Sequence, residues 1–120
     1  MSDDMEQARA ARREILPQDP EITAPTGSAA ERLERITWAE GWQRPGLSTR
    51  EKRLITLTVL GINGGARSLA LHLRGALDSG DLTAEDLDAF FFHFALYAGL
   101  PRGSVFAEML GHALDERAAT

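Results

Sequence analysis

The sequence predicts an all-α fold of five to six helices. Three observations carry this reading. Hydroxyl residues pair with carboxylates three positions on, glycine and proline punctuate the chain at helix-length intervals, and apolar residues recur at helical spacing with no alternating strand pattern. At 120 residues the chain supports one domain, and folding buries about two-thirds of the surface that the unfolded chain exposes.

The elements follow in order. Asp3 to Ile15 carries a thin apolar stripe of Ala8, Ala11 and Ile15, so it predicts a helix that needs a partner surface, an arm suited to a neighbouring subunit. Pro17, Pro20 and Pro25 hold the chain extended to Gly27, because each ring fixes its own φ and biases the residue before it away from helix. Residues 1–27 are thus expected to form an arm and linker, and residues 28–120 the helical domain. Ser28 with Glu31 opens a helix that points Leu33 and Ile36 inward and ends near Gly41, after which Trp42 and Arg44-Pro45-Gly46 reverse the chain.

Ser48 with Glu51 opens the next helix, whose Leu54 to Leu60 stretch is apolar around the axis, as a central buried helix requires. Gly61, Gly64 and Gly65 end it. A helix from Ala66 to Ser79 then buries Leu69, Leu73 and Leu77 and stops at Gly80. Thr83 with Asp86 starts a helix containing Phe90, Phe91, Phe92 and Phe94, too many aromatics for one stripe, so part of that surface is expected to be covered by another subunit. Gly99 and Pro101 end it. From Gly103, Val105, Phe106, Met109, Leu110, Ala113 and Leu114 define a last amphipathic helix, with Asp115 to Thr120 expected to fray.

Composition excludes several function classes. The chain is 43% hydrophobic and 26% charged, and it has no apolar run near the ~20 residues that a membrane span needs. Its acidic first residues do not make a signal peptide, so a cytoplasmic location is the expectation. The absence of cysteine removes disulfides, thiol nucleophiles and thiolate metal sites together. A net charge of −5, a pI near 5.1 and scattered arginines argue against nucleic acid as a partner.

One stretch carries a specific resemblance. Trp38-Ala39-Glu40-Gly41-Trp42-Gln43-Arg44-Pro45-Gly46-Leu47 is followed by Arg50 and Arg53, then His72-Leu73-Arg74-Gly75-Ala76-Leu77, then His93 and Leu96-Tyr97-Ala98-Gly99-Leu100-Pro101. This pattern resembles the γ-carboxymuconolactone decarboxylases over roughly residues 38 to 110. The resemblance implies an all-helical, alkylhydroperoxidase D-like fold, a homo-oligomer (trimer or hexamer), and conversion of 4-carboxymuconolactone to an enol-lactone with loss of carbon dioxide in aromatic catabolism. It implies no metal and no organic cofactor. The related peroxidases use a Cys-x-x-Cys pair, which this chain lacks. Decarboxylases of the family usually carry a glutamate four residues before the histidine of the His-Leu-Arg segment; Ser68 stands there instead.

Loss of carbon dioxide needs cationic clamps for carboxylate, a donor at the carbonyl that accepts the electrons, and an acid to protonate carbon. His72 is the first candidate catalytic residue, because Gly75 and Ala76 beside it are small and leave room for a ligand; His93, in the phenylalanine-rich helix, is the second. Against both stands the bland alternative of a core histidine bonded to backbone. His112 suits a structural role at a helix C-terminus. Arg44 and Arg50 flank the Pro-Gly turn as carboxylate clamps or as plain surface ion pairs, with Arg74 and Arg102 as weaker candidates. Ser68 has the i, i+4 spacing to meet His72, and Trp42 and Tyr97 are core anchors or ligand contacts.

The leading expectation is therefore a cofactor-free carboxy-lyase acting on a small carboxylated lactone or related acid. Two alternatives stand beside it. One is a diverged paralogue that isomerises, cyclises or decarboxylates a biosynthetic intermediate. The other is a non-catalytic helical oligomer, whose signature is a filled interior at both histidines.

Overall fold

The computed structural model describes residues 2–119, and it is helical throughout its regular elements. These are α1 (Ser2–Ile15), α2 (Ala29–Arg35) running into a π-helical turn (Ile36–Gly41), α3 (Thr49–Asn63), α4 (Ala66–Ser79), α5 (Ala84–Ala98) and α6 (Leu100–Ala119). Met1 and Thr120 lie outside the described residues.

The three hydroxyl caps work as their spacing requires. Ser48 and Thr83 each accept from the amide three residues on, and the Glu51 and Asp86 carboxylates accept from the cap amides in return. Ser28 accepts from the Glu31 amide, but the Glu31 carboxylate reaches back to the Gly27 amide instead. Gly64 and Gly80 close α3 and α4 in the left-handed conformation that only glycine adopts cheaply.

Two apolar clusters share α4. The larger joins Leu57 of α3, Leu69, Leu73 and Leu77 of α4, Leu87 and Phe94 of α5, and Phe106 and Leu110 of α6. The smaller joins Ala8, Ala11, Ile15 and Leu16 to Trp38, with Trp42 and Leu71 packed beside them. The arm is therefore not left for a neighbour. α1 lies on its own chain, against the π-helical turn and α4, because its thin stripe finds an indole there.

Several boundaries differ from the sequence reading. α3 runs through Gly61 to Asn63, since Gly61 serves packing there: a Cβ would lie 2.6 Å from Cζ of Phe94. α6 begins at Leu100, with Pro101 in its first turn where no amide partner is needed, and it stays helical to Ala119 where fraying is expected. Leu33 and Ile36 face solvent at 66% and 45% exposure, because Glu34 and Trp38 occupy the inner face against α1. Of the four clustered phenylalanines, Phe90, Phe91 and Phe94 stack on Phe106 inside the chain, and Phe92 alone stays 66% exposed.

The tightest approach is at Gly75, where a Cβ would collide with the Ile15 carbonyl oxygen and lie 3.2 Å from Nη1 of Arg53. Gly75→Ala should therefore lower stability by about 1–3 kcal/mol, the usual cost of overpacking. Chemical denaturation would register this as a lower midpoint at unchanged slope, whereas Gly111→Ala, where a Cβ meets nothing within 4 Å, should leave the midpoint within error or raise it.

Candidate active site around His72

The π-helical turn shapes one wall of the site. Its Trp42 amide donates to the Thr37 carbonyl at 3.0 Å, an i to i+5 bond, and the widened turn brings Trp38 and Trp42 onto one face. The two indoles lie 6.0 Å apart and nearly parallel, and the His72 ring from α4 stacks with both at 6.3 and 6.0 Å. Trp38 is pinned by its Nε1, which donates to Glu34 at 2.7 Å. The same Glu34 oxygen accepts from Arg12 at 2.9 Å, and the Arg12 guanidinium sits 5.5 Å over the Trp38 ring.

Arg53 comes in from α3. It is only 1% exposed, its Nε donates to Asp81 at 2.7 Å, and its Nη1 donates to the Ile15 carbonyl at 3.2 Å. Among the described residues, two buried side-chain polar atoms lack a hydrogen-bond partner: Nη2 of Arg53 and Nδ1 of His72. Burial first, then the charges of Arg53 and Arg12, push the His72 pKa from 6.5 down to about 4. The imidazole is thus neutral in the free protein near pH 7.

Two surface pockets flank this cluster. One, of about 480 Å³, is lined by Arg53 but also by Glu14, Asp78 and Asp81, which disfavour an anion. The other, of about 310 Å³, opens beside Trp42 and offers Lys52, Thr37 and Thr56 as polar groups. The space beside His72 that Gly75 and Ala76 suggest from sequence is not vacant. The Ile15 carbonyl and Arg53 fill the position beside Gly75, and Ala76 is fully buried in the larger core.

The remaining sequence candidates scatter. Trp42 joins His72, while Ser68 is exposed one turn away and no hydrogen bond joins it to His72 among the described residues. Arg44 is exposed, its carbonyl accepting from Lys52 at 2.6 Å. Arg50 pairs with Asp86 at 3.5 Å, tying α3 to α5. Arg74 is buried against Asp78, which Arg117 also approaches at 3.3 Å, so it braces α4 on α6. Arg102 donates to the Ile62 carbonyl at 2.9 Å, and His112 lies 3.9 Å from Glu108 on α6.

His93 belongs to a separate place. Its ring lies 5.1 Å from that of Tyr97, and both line an apolar pocket of about 260 Å³ with Thr58, Ile62, Phe90 and Phe94. Tyr97 itself is 84% exposed. The sequence pattern did not single out Arg12, Trp38 and Arg53 as site residues. A signal was present, since Arg53 precedes the buried Leu57 by one turn and Arg12 follows Ala8 by one turn, each a cation on an inward stripe.

Residues 28–110, which hold Trp38, Arg53, His72 and His93, match the profile of the Carboxymuconolactone decarboxylase family. The chain belongs to that family. It is 36% identical over 77 residues to 4-carboxymuconolactone decarboxylase of Acinetobacter baylyi, covering 64% of this chain and 57% of that protein. It is 33% identical over 76 residues to nitrosuccinic acid decarboxylase of Metarhizium robertsii, covering 63% of this chain and 52% of that protein. The chain thus spans just over half the length of these curated relatives. No solved structure matches it. α1, which supplies Arg12 and the Ile15 carbonyl, precedes the segment that this decarboxylase family shares.

The depressed His72 pKa fixes a pH dependence for this family member. The unfolded chain binds a proton at His72 below about pH 6.5 and the folded chain only below about pH 4, so folded stability falls as pH drops through that window. The full loss is about 3 kcal/mol, and none of it is felt above pH 7. Denaturation titrations of the wild type and of His72→Gln should diverge between pH 7 and pH 4, with the variant showing the shallower decline.

Proposed function

We propose that the protein is a cofactor-free decarboxylase of a small carboxylated lactone or related organic acid, with Arg53 and His72 at the reacting end. The observation that carries this reading is the pair of unpartnered polar atoms, Nη2 of Arg53 and Nδ1 of His72, within a segment shared with two proteins named as decarboxylases. Buried donors and acceptors are almost always paired, so two left over in one cluster argue for a ligand that completes them. A carboxylate suits both.

The chemistry follows from the charges. Arg53 Nη2 donates to the substrate carboxylate, and the indole faces of Trp38 and Trp42 supply a wall that excludes water. Cleavage of the bond to carbon dioxide sends its electron pair into the conjugated carbonyl of the substrate, and the carbon then takes a proton. The balance is one carboxylate and one proton in, one hydrocarbon carbon and one carbon dioxide out. His72 is neutral in the free protein, but an anion docked beside it offsets Arg53 and Arg12 and raises its proton affinity. The substrate thus recruits the proton that the reaction consumes. Access is through the pocket beside Trp42, whose Lys52, Thr37 and Thr56 suit an organic acid better than the carboxylate-lined pocket at Asp81.

The two relatives are named for different acids, so substrate choice rests on this chain's own wall beside Trp38 and Trp42. A second reading puts the reaction in the apolar pocket of His93 and Tyr97, and a preformed cavity of about 260 Å³ favours it. Carbon dioxide release from 4-carboxymuconolactone and from nitrosuccinate separates the readings. His72→Gln and Arg53→Met should each lower kcat/KM at least about 100-fold, and His93→Gln less than about 10-fold. The reverse order moves the site to the His93 pocket, and an inert wild type with both acids removes the decarboxylase reading for them.

The same proposal includes self-association. Ile55, Val59 and Ile62 form a stripe along α3 at 52%, 50% and 41% exposure, and Leu96 and Leu100 add 66% and 76% exposed apolar surface. Such a surface is larger than a monomer usually leaves to water, and a closed homo-oligomer, a trimer or hexamer, covers it. Light scattering after gel filtration should give a multiple of the 13.1 kDa chain mass, and Val59→Asp should reduce that multiple without unfolding the helices.

A further inference from the structure

Arg12 stands out because it lies before the residues 28–110 that match the family profile, yet it is woven into the wall behind His72. Its Nη1 pairs with Glu34 at 2.9 Å, its Nη2 with Asp19 at 3.0 Å, and its Nε donates to the Asp19 carbonyl at 2.9 Å. Its side chain is only 12% exposed. Glu34 carries the contact onward, because the oxygen that takes Arg12 also takes Nε1 of Trp38, and Trp38 stacks on His72 at 6.3 Å.

We propose that Arg12 is a positioning residue for His72, which locks the Trp38 indole through Glu34 and places fixed positive charge behind the imidazole. Guanidinium is suited to this, since its planar fork holds two carboxylates while its face lies on an aromatic ring, which an ammonium cannot do in one geometry. The charged groups bound into the cluster come from every element around it: Arg12 of α1, Asp19 after it, Glu34 of α2, and Lys52 and Arg53 of α3, with Asp81 on Arg53. Burial disfavours the imidazolium most, and the charges of Arg53 and then Arg12 add to it. This helix thus lends the site a cation that helps to keep the imidazole neutral near pH 7.

The test is the titration of His72 by NMR in the free, full-length protein, which stands or falls independently of any decarboxylase activity. Three variants separate charge and geometry from mere packing. Arg12→Met should raise the His72 pKa by about half a unit or more, because a cation is lost. Arg12→Lys should keep it near the wild-type value while Trp38 fluorescence changes, because charge remains and the fork is lost. Glu34→Gln, whose amide oxygen still accepts from Trp38, should lower it, because the neighbouring anion that offsets Arg12 is gone. A structural tether alone would loosen α1 in all three and raise the pKa in all three, and that common direction, or no shift with Arg12→Met, overturns the proposal. The order up, unchanged, down supports it.

Discussion

The structure turns on a buried guanidinium. Arg53 is only 1% exposed, so water does little to compensate its charge and the chain must supply partners. It does so from two directions, with Asp81 from the α4–α5 turn on Nε and the Ile15 carbonyl from the end of α1 on Nη1. Those two bonds decide where α1 ends and how closely it approaches α4. Gly75 is the residue that permits the approach, because any side chain there would meet the Ile15 carbonyl.

From that constraint the site follows. With α1 held down at Ile15, Arg12 one turn earlier falls over Trp38 and within reach of Glu34. The π-helical turn aligns the two indoles so that His72 completes a triangle of three nearly parallel rings, each about 6 Å from the other two. An imidazole that is buried beside two indoles and backed by two guanidiniums resists protonation, and its pKa is held down at about 4. Nη2 of Arg53 and Nδ1 of His72 remain the two buried side-chain polar atoms without a hydrogen-bond partner among the described residues.

The second histidine illustrates how one helix can serve two masters. The phenylalanines of α5 stack inward on Phe106, and Phe90 and Phe94 also line, with His93 and Tyr97, an apolar pocket that adjoins the exposed stripe of α3. The same stripe reaches the pocket beside Trp42, which Ile55 lines.

The helices themselves were legible in the sequence, because much of what starts and stops a helix is local: a serine or threonine with a carboxylate three residues on, a glycine able to turn left-handed. Trp42 and His72 were legible as site candidates for a similar reason, since each stands in a short motif. The company they keep was not. Arg12, Glu34, Trp38, Arg53 and His72 come from four helices, and nothing in the spacing of one helix says which residues of another will face it. Gly75 shows the same divide: its small size promised a vacancy, and only the packing of α1 decided that backbone would occupy it. Local propensity set the helical class and the capped starts, whereas the end of α3, the start of α6, the outward turn of Leu33 and Ile36 and the site were decided by tertiary contact, because a buried charge selects its partners from whatever the fold brings within hydrogen-bond reach.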